Sequence, residues 1–182
     1  TGATVGKIFG MARAMKAGIG TASTDMAGGM KVGAIAAVNA FGDVVDPSTG
    51  SIIAGARKRD DSGFADTAAV LREDLSQTVI GFLNTVIGLV ATNVRLSKED
   101  ASKMAQMATS GITRTTSPAH TSYDGDVVFA LSAAESNLTA PVSVVGTAAS
   151  EAMAAAVLDA VYSADSVDGI PAARDVAYSP VP

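Results

Sequence analysis

The sequence predicts an α/β layered fold, and three observations carry that prediction. Short apolar stretches punctuated by Gly, Pro and Asp run through residues 19–54, a nearly continuous apolar segment extends from Thr85 to Val94, and strand and helix patterns alternate after it. Alternation of this kind packs helices onto the faces of a sheet. At 182 residues with 48% hydrophobic side chains, the chain can bury a substantial core and reads as one domain. Aromatic residues make up only 4% and Trp is absent, while Gly and Ala are frequent, so elements are expected to approach one another closely.

Taken in order, Val5, Ile8, Phe9, Ala12 and Met15 have roughly helical spacing, weakened by Gly6 and Gly10, and predict a helix or a loop. Ile19 to Thr24, Lys31 to Asn39 and Ser51 to Ala54 read as strands. Asp46-Pro47-Ser48-Thr49-Gly50 is a turn, because Pro presets its own φ and Gly accepts positive φ. Arg57 to Leu83 is a long excursion, weakly helical from Thr67 to Leu75, and a connection beyond about 12–15 residues calls for a functional reason. Thr85 to Val94 is nearly continuous in apolar residues, as expected of a central strand covered on both faces. Ser97 caps a helix over 97–111, with Glu99 and Asp100 in its first turn and Ala101, Met104, Ala105, Ala108 and Ile112 on one face. Asp126 to Ser132 alternates as a strand, and Val142 to Tyr162 is an Ala-rich helix. The tail after Ala164 is expected to be extended.

Charge and composition exclude several classes of function. A net charge of -5 removes the drive that nucleic-acid binders draw from phosphate neutralisation, so no nucleic-acid partner is expected. The basic run Arg57-Lys58-Arg59 is followed at once by Asp60 and Asp61 and reads as a solvated loop. The longest apolar stretches, Val32 to Phe41 and Ala152 to Val161, fall short of the ~20 residues that span a bilayer, which predicts a soluble chain with no membrane partner. Without cysteine, neither disulfides nor thiolate metal sites can form, which suits a reducing compartment and favours the cytoplasm while leaving localisation open. Asn137-Leu138-Thr139 matches a glycosylation acceptor, but no signal peptide accompanies it, and chance explains the match.

Generic catalytic motifs fare poorly. Gly2-Ala3-Thr4-Val5-Gly6-Lys7 has one residue too few between its glycines for a phosphate loop, and Ile8 stands where a hydroxyl should hold magnesium. Gly18-Ile19-Gly20 lacks the third glycine of a dinucleotide fingerprint. His120 is the only histidine, and a lone His beside Pro118 is more often structural than part of a relay. Asp124-Gly125-Asp126 offers two carboxylates with no further ligand nearby except His120, so it reads as a tight turn, and no metal or other cofactor is expected. Asn39, taken alone, reads as a strand-end residue capping a turn.

A wider pattern changes this reading. Lys16-Ala17-Gly18-Ile19-Gly20-Thr21-Ala22-Ser23, Val38-Asn39-Ala40-Phe41-Gly42-Asp43-Val44, Asn84-Thr85 with Val90-Ala91-Thr92-Asn93, Pro118-Ala119-His120-Thr121 and Asp124-Gly125-Asp126 lie in order over most of residues 1–160. Together they resemble the aminopeptidase/D-esterase (DmpA-type) family of self-cleaving, N-terminal-nucleophile-like hydrolases. Thr85 departs from the commoner Ser and matches the branch with a Thr nucleophile, which includes the nylon-oligomer hydrolase.

The resemblance implies a four-layer α-β-β-α sandwich whose upstream part precedes this chain. It implies a single hydrolase domain over 1–182, self-cleavage between Asn84 and Thr85 into fragments 1–84 and 85–182, and a homo-oligomer of the cleaved heterodimers. Carried over by position, Thr85 is the nucleophile, Asn39 an oxyanion donor, Lys7 a catalytic lysine beside it, and Asp124 and Asp126 the acids that orient the Thr. The implied activity is release of N-terminal residues from short peptides. Hydrolysis of amide oligomers built from ω-amino acids, or a non-catalytic scaffold that keeps the fold, are the alternatives.

The chemistry suits these residue types. An N-terminal Thr supplies its own base, because a free α-amino group titrates near 7.7–8.0 and can accept the hydroxyl proton. Its branched β-carbon also restricts χ1 and hence the orientation of the hydroxyl. A rival route to the same cut remains open at Asn84, whose side chain could attack its own carbonyl and leave a succinimide.

Overall fold

The structure, a computed structural model, describes residues 2–73, 84–133 and 135–176. Its centre is a four-stranded sheet in the order β3 (Ile19–Asp25), β4 (Lys31–Asn39), β7 (Thr85–Thr92) and β9 (Val127–Ser132). The first two pairings are antiparallel and the last is parallel. Parallel neighbours need a long crossover, and α2 (Lys98–Thr115) supplies it between β7 and β9. Two small sheets flank the centre: β1 (Thr4–Val5) with β2 (Met15–Lys16), and β5 (Asp43–Val45) between β6 (Ile52–Ala54) and β8 (Thr116–Ser117).

One face of the large sheet is covered by α2 and α3 (Val142–Tyr162). The start of α2 follows from its sequence, since the Ser97 side chain accepts from Asp100 N at 3.0 Å and Glu99 and Asp100 sit at the positive end of the helix. Met104, Ala108, Gly111 and Ile112 form its buried stripe. Glycine is required where the backbones touch: a Cβ at Gly111 would lie 2.5 Å from Ser150 O, and one at Gly20 would lie 2.1 Å from Ala156 O. The Ala-rich composition therefore does what the sequence predicts, bringing helix backbone within contact of strand backbone. By length and hydropathy α3 could cross a membrane, contrary to the expectation of no such segment, but 61% of its apolar window is buried against the rest of the fold.

Several expectations need correction. Residues 5–15 form no α-helix. Gly6 (φ 68°) and Gly10 (φ 82°) turn the chain, and β1, one 3-10 turn at Met11–Arg13 and β2 replace the helix. Strand β7 is central, yet it is covered on one face only among the described residues: Val86 and Val90 are fully buried while Ile87 is 51% exposed. The described part of the excursion ends in α1 (Thr67–Glu73), and the expected helical residues 74 and 75 lie outside the described residues. The tail is not wholly extended, since Val167 pairs with Ile170 and a 3-10 turn spans Ala173–Asp175. Helical layer plus sheet make two of the four layers of an α-β-β-α sandwich.

Candidate active site

The polar cluster forms where β4 ends and β7 begins. Antiparallel register sets Asn39, the last residue of β4, opposite Thr85, the first of β7. Asn39 Oδ1 accepts from Thr4 N at 3.1 Å and from Lys7 Nζ at 2.7 Å. Two donors meeting one atom mark it as the carbonyl oxygen, and the NH2 group of Asn39 faces the other way. Lys7 follows β1 at a bend that only glycine allows, for a Cβ on Gly6 would lie 2.0 Å from Ala56 N. Its side chain is buried, and Nζ also donates to Asn39 O and to Asn84 Oδ1, each at 3.0 Å. Burial pulls the Lys7 ammonium down to about 8, against the opposing pull of the Asp124 carboxylate.

Asn84 and Thr85 are held by the loop that precedes β9. Asn84 bridges Asp124 in parallel fashion, and Gly125 N donates to Asn84 O at 2.9 Å. The Thr85 hydroxyl donates to the same carbonyl oxygen at 2.5 Å. The absence of a side chain at Gly125 matters here, because a Cβ would stand 3.2 Å from Thr85 Oγ1. The Asn84 carboxamide is spanned at both ends, with Oδ1 on Lys7 and Nδ2 donating to Tyr123 O at 3.0 Å.

The two acids fix this loop. Asp126 Oδ1 accepts from Val86 N at 2.7 Å, next in chain to Thr85, and its Oδ2 faces His120 Nδ1 at 2.9 Å. Asp124 Oδ1 accepts from Phe41 N at 3.0 Å, and its Oδ2 accepts from the Thr121 hydroxyl at 2.6 Å. Asp124 thus ties the loop to the turn after β4, and Asp126 ties it to β7. The rings of Phe41 and Tyr123 pack at 5.1 Å beside the first of these ties.

The structure therefore gathers Lys7, Asn39, Asn84, Thr85, Asp124 and Asp126 into one place. Four participants escaped sequence reasoning: the Gly125 N–H, the Tyr123 carbonyl, the Asn84 side chain as a bound group, and His120 as the partner of Asp126. Two of these are main-chain atoms, which every residue carries, so nothing in the sequence marks them. Asp124 and Asp126 spend their oxygens on N–H, hydroxyl and imidazole groups, and no set of three or more metal-ligating side chains collects among the described residues. Chemically, the arrangement sets a hydroxyl against a peptide carbonyl whose oxygen already receives a fixed backbone donor. A fixed backbone donor on a carbonyl oxygen is the kind of contact that stabilises negative charge developing there.

The description of peptidase family S58 matches residues 1–174. An uncharacterized aminopeptidase of Mycobacterium leprae is 42% identical over 93% of this chain and 50% of its own length. The chain thus spans about half the length of this curated relative. Among solved structures, the fold is similar to the L-aminopeptidase D-Ala-esterase/amidase of Ochrobactrum anthropi, described as a variant of the Ntn hydrolase fold (TM-score 0.57, 22% identity, 88% of this chain and 46% of that one). It is likewise similar to a beta-aminopeptidase of Burkholderia sp. (TM-score 0.55, 22% identity, 81% of this chain and 42% of that one).

Proposed function

We propose that this chain, which belongs to peptidase family S58, is the nucleophile-bearing part of a self-processing aminopeptidase that cuts its own backbone between Asn84 and Thr85. The observation that carries the reading is the Asn84 carbonyl, held between the Thr85 hydroxyl and the Gly125 N–H. Attack by Oγ1 on the Asn84 carbonyl carbon forms a tetrahedral centre, whose oxygen keeps the Gly125 donor and gains strength from it as charge develops. The C–N bond then breaks, the hydroxyl proton goes to the departing Thr85 nitrogen, and an ester links Asn84 to Oγ1. Water hydrolyses the ester, giving a carboxylate on Asn84 and a free amine on Thr85.

That amine is the base of the mature enzyme. It takes the proton of Oγ1 as the hydroxyl attacks the substrate's amide, and returns it to the leaving amine. Asn39, through its NH2 group, and Gly125, through its N–H, serve as oxyanion donors. Asp126, locked by Val86 N and His120, fixes the start of β7 and hence the nucleophile. Lys7 fixes Asn39 and meets the Asn84 side chain, while Asp124 holds the loop. The names of the relatives, an aminopeptidase and a beta-aminopeptidase, support N-terminal residues as the group released, and short peptides are the first substrates to assay. Oligomers of ω-amino acids carry the same amide and are the second substrate to assay, and assembly of the cleaved heterodimers into a homo-oligomer accompanies this reading.

The succinimide route is disfavoured by the same contacts, since both ends of the Asn84 carboxamide are bound away from its own carbonyl carbon. Thr85→Ala in the full-length protein is expected to abolish the cut, leaving one band on an SDS gel and no hydrolysis of alanine p-nitroanilide. Two fragments from the variant would refute the reading. An unmodified Asn carboxylate at the end of the first fragment, seen by mass spectrometry, is expected in the parent.

A further inference from the structure

We propose that the socket now filled by the Asn84 side chain is the subsite for the substrate residue that donates the acyl group, and that it selects asparagine. The inference rests on the reading above, in which the chain is its own first substrate: Asn84 lies on the acyl side of the bond that Thr85 attacks, so its side chain occupies the place where a foreign substrate's N-terminal side chain must go. Once the backbone is cut, Asn84 has to withdraw before a substrate can enter, and the groups that held it are left to hold its successor.

Those groups have a defined polarity. Lys7 Nζ presents a donor to Oδ1 at 3.0 Å, and the Tyr123 carbonyl presents an acceptor to Nδ2 at 3.0 Å. The Lys7 end is buried, with Lys7 only 2% and Asn84 only 4% exposed, and the Tyr123 end is half-buried. Their spacing spans a single carboxamide, whose two ends are one acceptor and one donor. Leucine has the same branched shape as asparagine but offers neither function, so it would take an acceptor from Lys7 and a donor from Tyr123 without replacing them. Aspartate would satisfy Lys7 while turning a second oxygen toward the Tyr123 carbonyl. Alanine would leave the socket unfilled. A site built around hydrogen-bonded polar groups discriminates far more strongly against an analogue lacking them than an apolar pocket does against a change of size.

The test uses the processed full-length protein and the p-nitroanilides of asparagine, aspartate, leucine and alanine. The expected order of kcat/KM places asparagine first, with leucine lower by about 100-fold or more. Equal or better turnover of leucine or alanine would overturn the socket while leaving the hydrolase reading intact, since those substrates would still be cut by Thr85. No turnover of any anilide, together with an unprocessed chain, would sink both. The same socket is tested in cis by the rate of self-cleavage. Asn84→Leu is expected to slow the appearance of the two fragments by about 100-fold, with thermal unfolding measured alongside to establish that the variant is folded. A folded Asn84→Leu protein that cleaves as fast as the parent would overturn the proposal independently of the anilides.

Discussion

Across the four-stranded sheet, the row Gly20, Ala36, Gly88 and Val128 faces the helices, and the adjacent row Ile19, Ala37, Ile87 and Val127 faces away from them. The next outward row, Thr21, Ile35, Leu89 and Phe129, repeats the difference. The covered side has small residues because helix backbone sits directly on strand backbone. The open side has large ones, with Phe129 and Leu131 each 57% exposed. A monomeric surface rarely leaves so many large apolar groups in one patch. The α-β-β-α architecture accounts for them, since a second β layer belongs on that face and the chain spans only 46% of the Ochrobactrum structure.

The comparison can be broken most severely at Gly20. Gly20→Val puts a side chain where Ala156 O already is, and is expected to destabilise the protein by about 4 kcal/mol or more in urea unfolding, or to abolish soluble expression. Stability near that of the parent would mean that the helix does not sit on the strand as described. On the open side, Phe129→Ala in the full-length protein is expected to lose about 3–5 kcal/mol, because a second layer buries the ring. A loss under about 1 kcal/mol would mean the face stays wet.

Away from that sheet, the small sheet of β5, β6 and β8 also encloses a carboxylate. Asp43 is buried, and burial pushes it up from 3.8 to about 6 despite the N–H groups of Thr67 and Ala56 that donate to it. Because the folded form holds this proton more tightly than the unfolded chain, the stabilisation is present below 3.8 and is lost as the pH rises to about 6. Urea midpoints of the parent relative to Asp43→Asn should therefore fall across that window, and a flat difference would contradict the buried placement. The smallest effect is expected at Gly33, an open-face position where an added Cβ meets only Ala22 O at 3.9 Å. Gly33→Ala should change stability by less than about 1 kcal/mol, in contrast to Gly20 in the paired strand.

Much of the fold was legible because long elements repeat their signal. The capping Ser97 and the stripe from Met104 to Ile112 announce α2, and the apolar run from Thr85 announces β7. The short strands β1, β2, β5 and β8 escape this logic, because two or three residues cannot display a period and their pairing is fixed by distant partners. The stretch 5–15, read as a helix or a loop, shows the opposite hazard, an apolar spacing overruled by two glycines with positive φ. At the site, Thr85, Asn39, Lys7 and the two acids were legible only through family resemblance. Composition and spacing alone left Asn39 as a cap and Asp124-Gly125-Asp126 as a turn. Register supplies what was missing, by placing Asn39 across from Thr85 and Gly125 N under the Asn84 oxygen.

The same register sets what a cut ahead of Thr85 would leave behind. Strand β7 is zipped to β4 along eight consecutive rungs, from Val32 with Thr92 to Asn39 with Thr85, and to β9 on its other edge. A terminus created there is born inside a ladder, so it has no slack with which to fray or diffuse. The two pieces would be divorced in covalent terms and still share one sheet, and parting them would mean tearing out its middle.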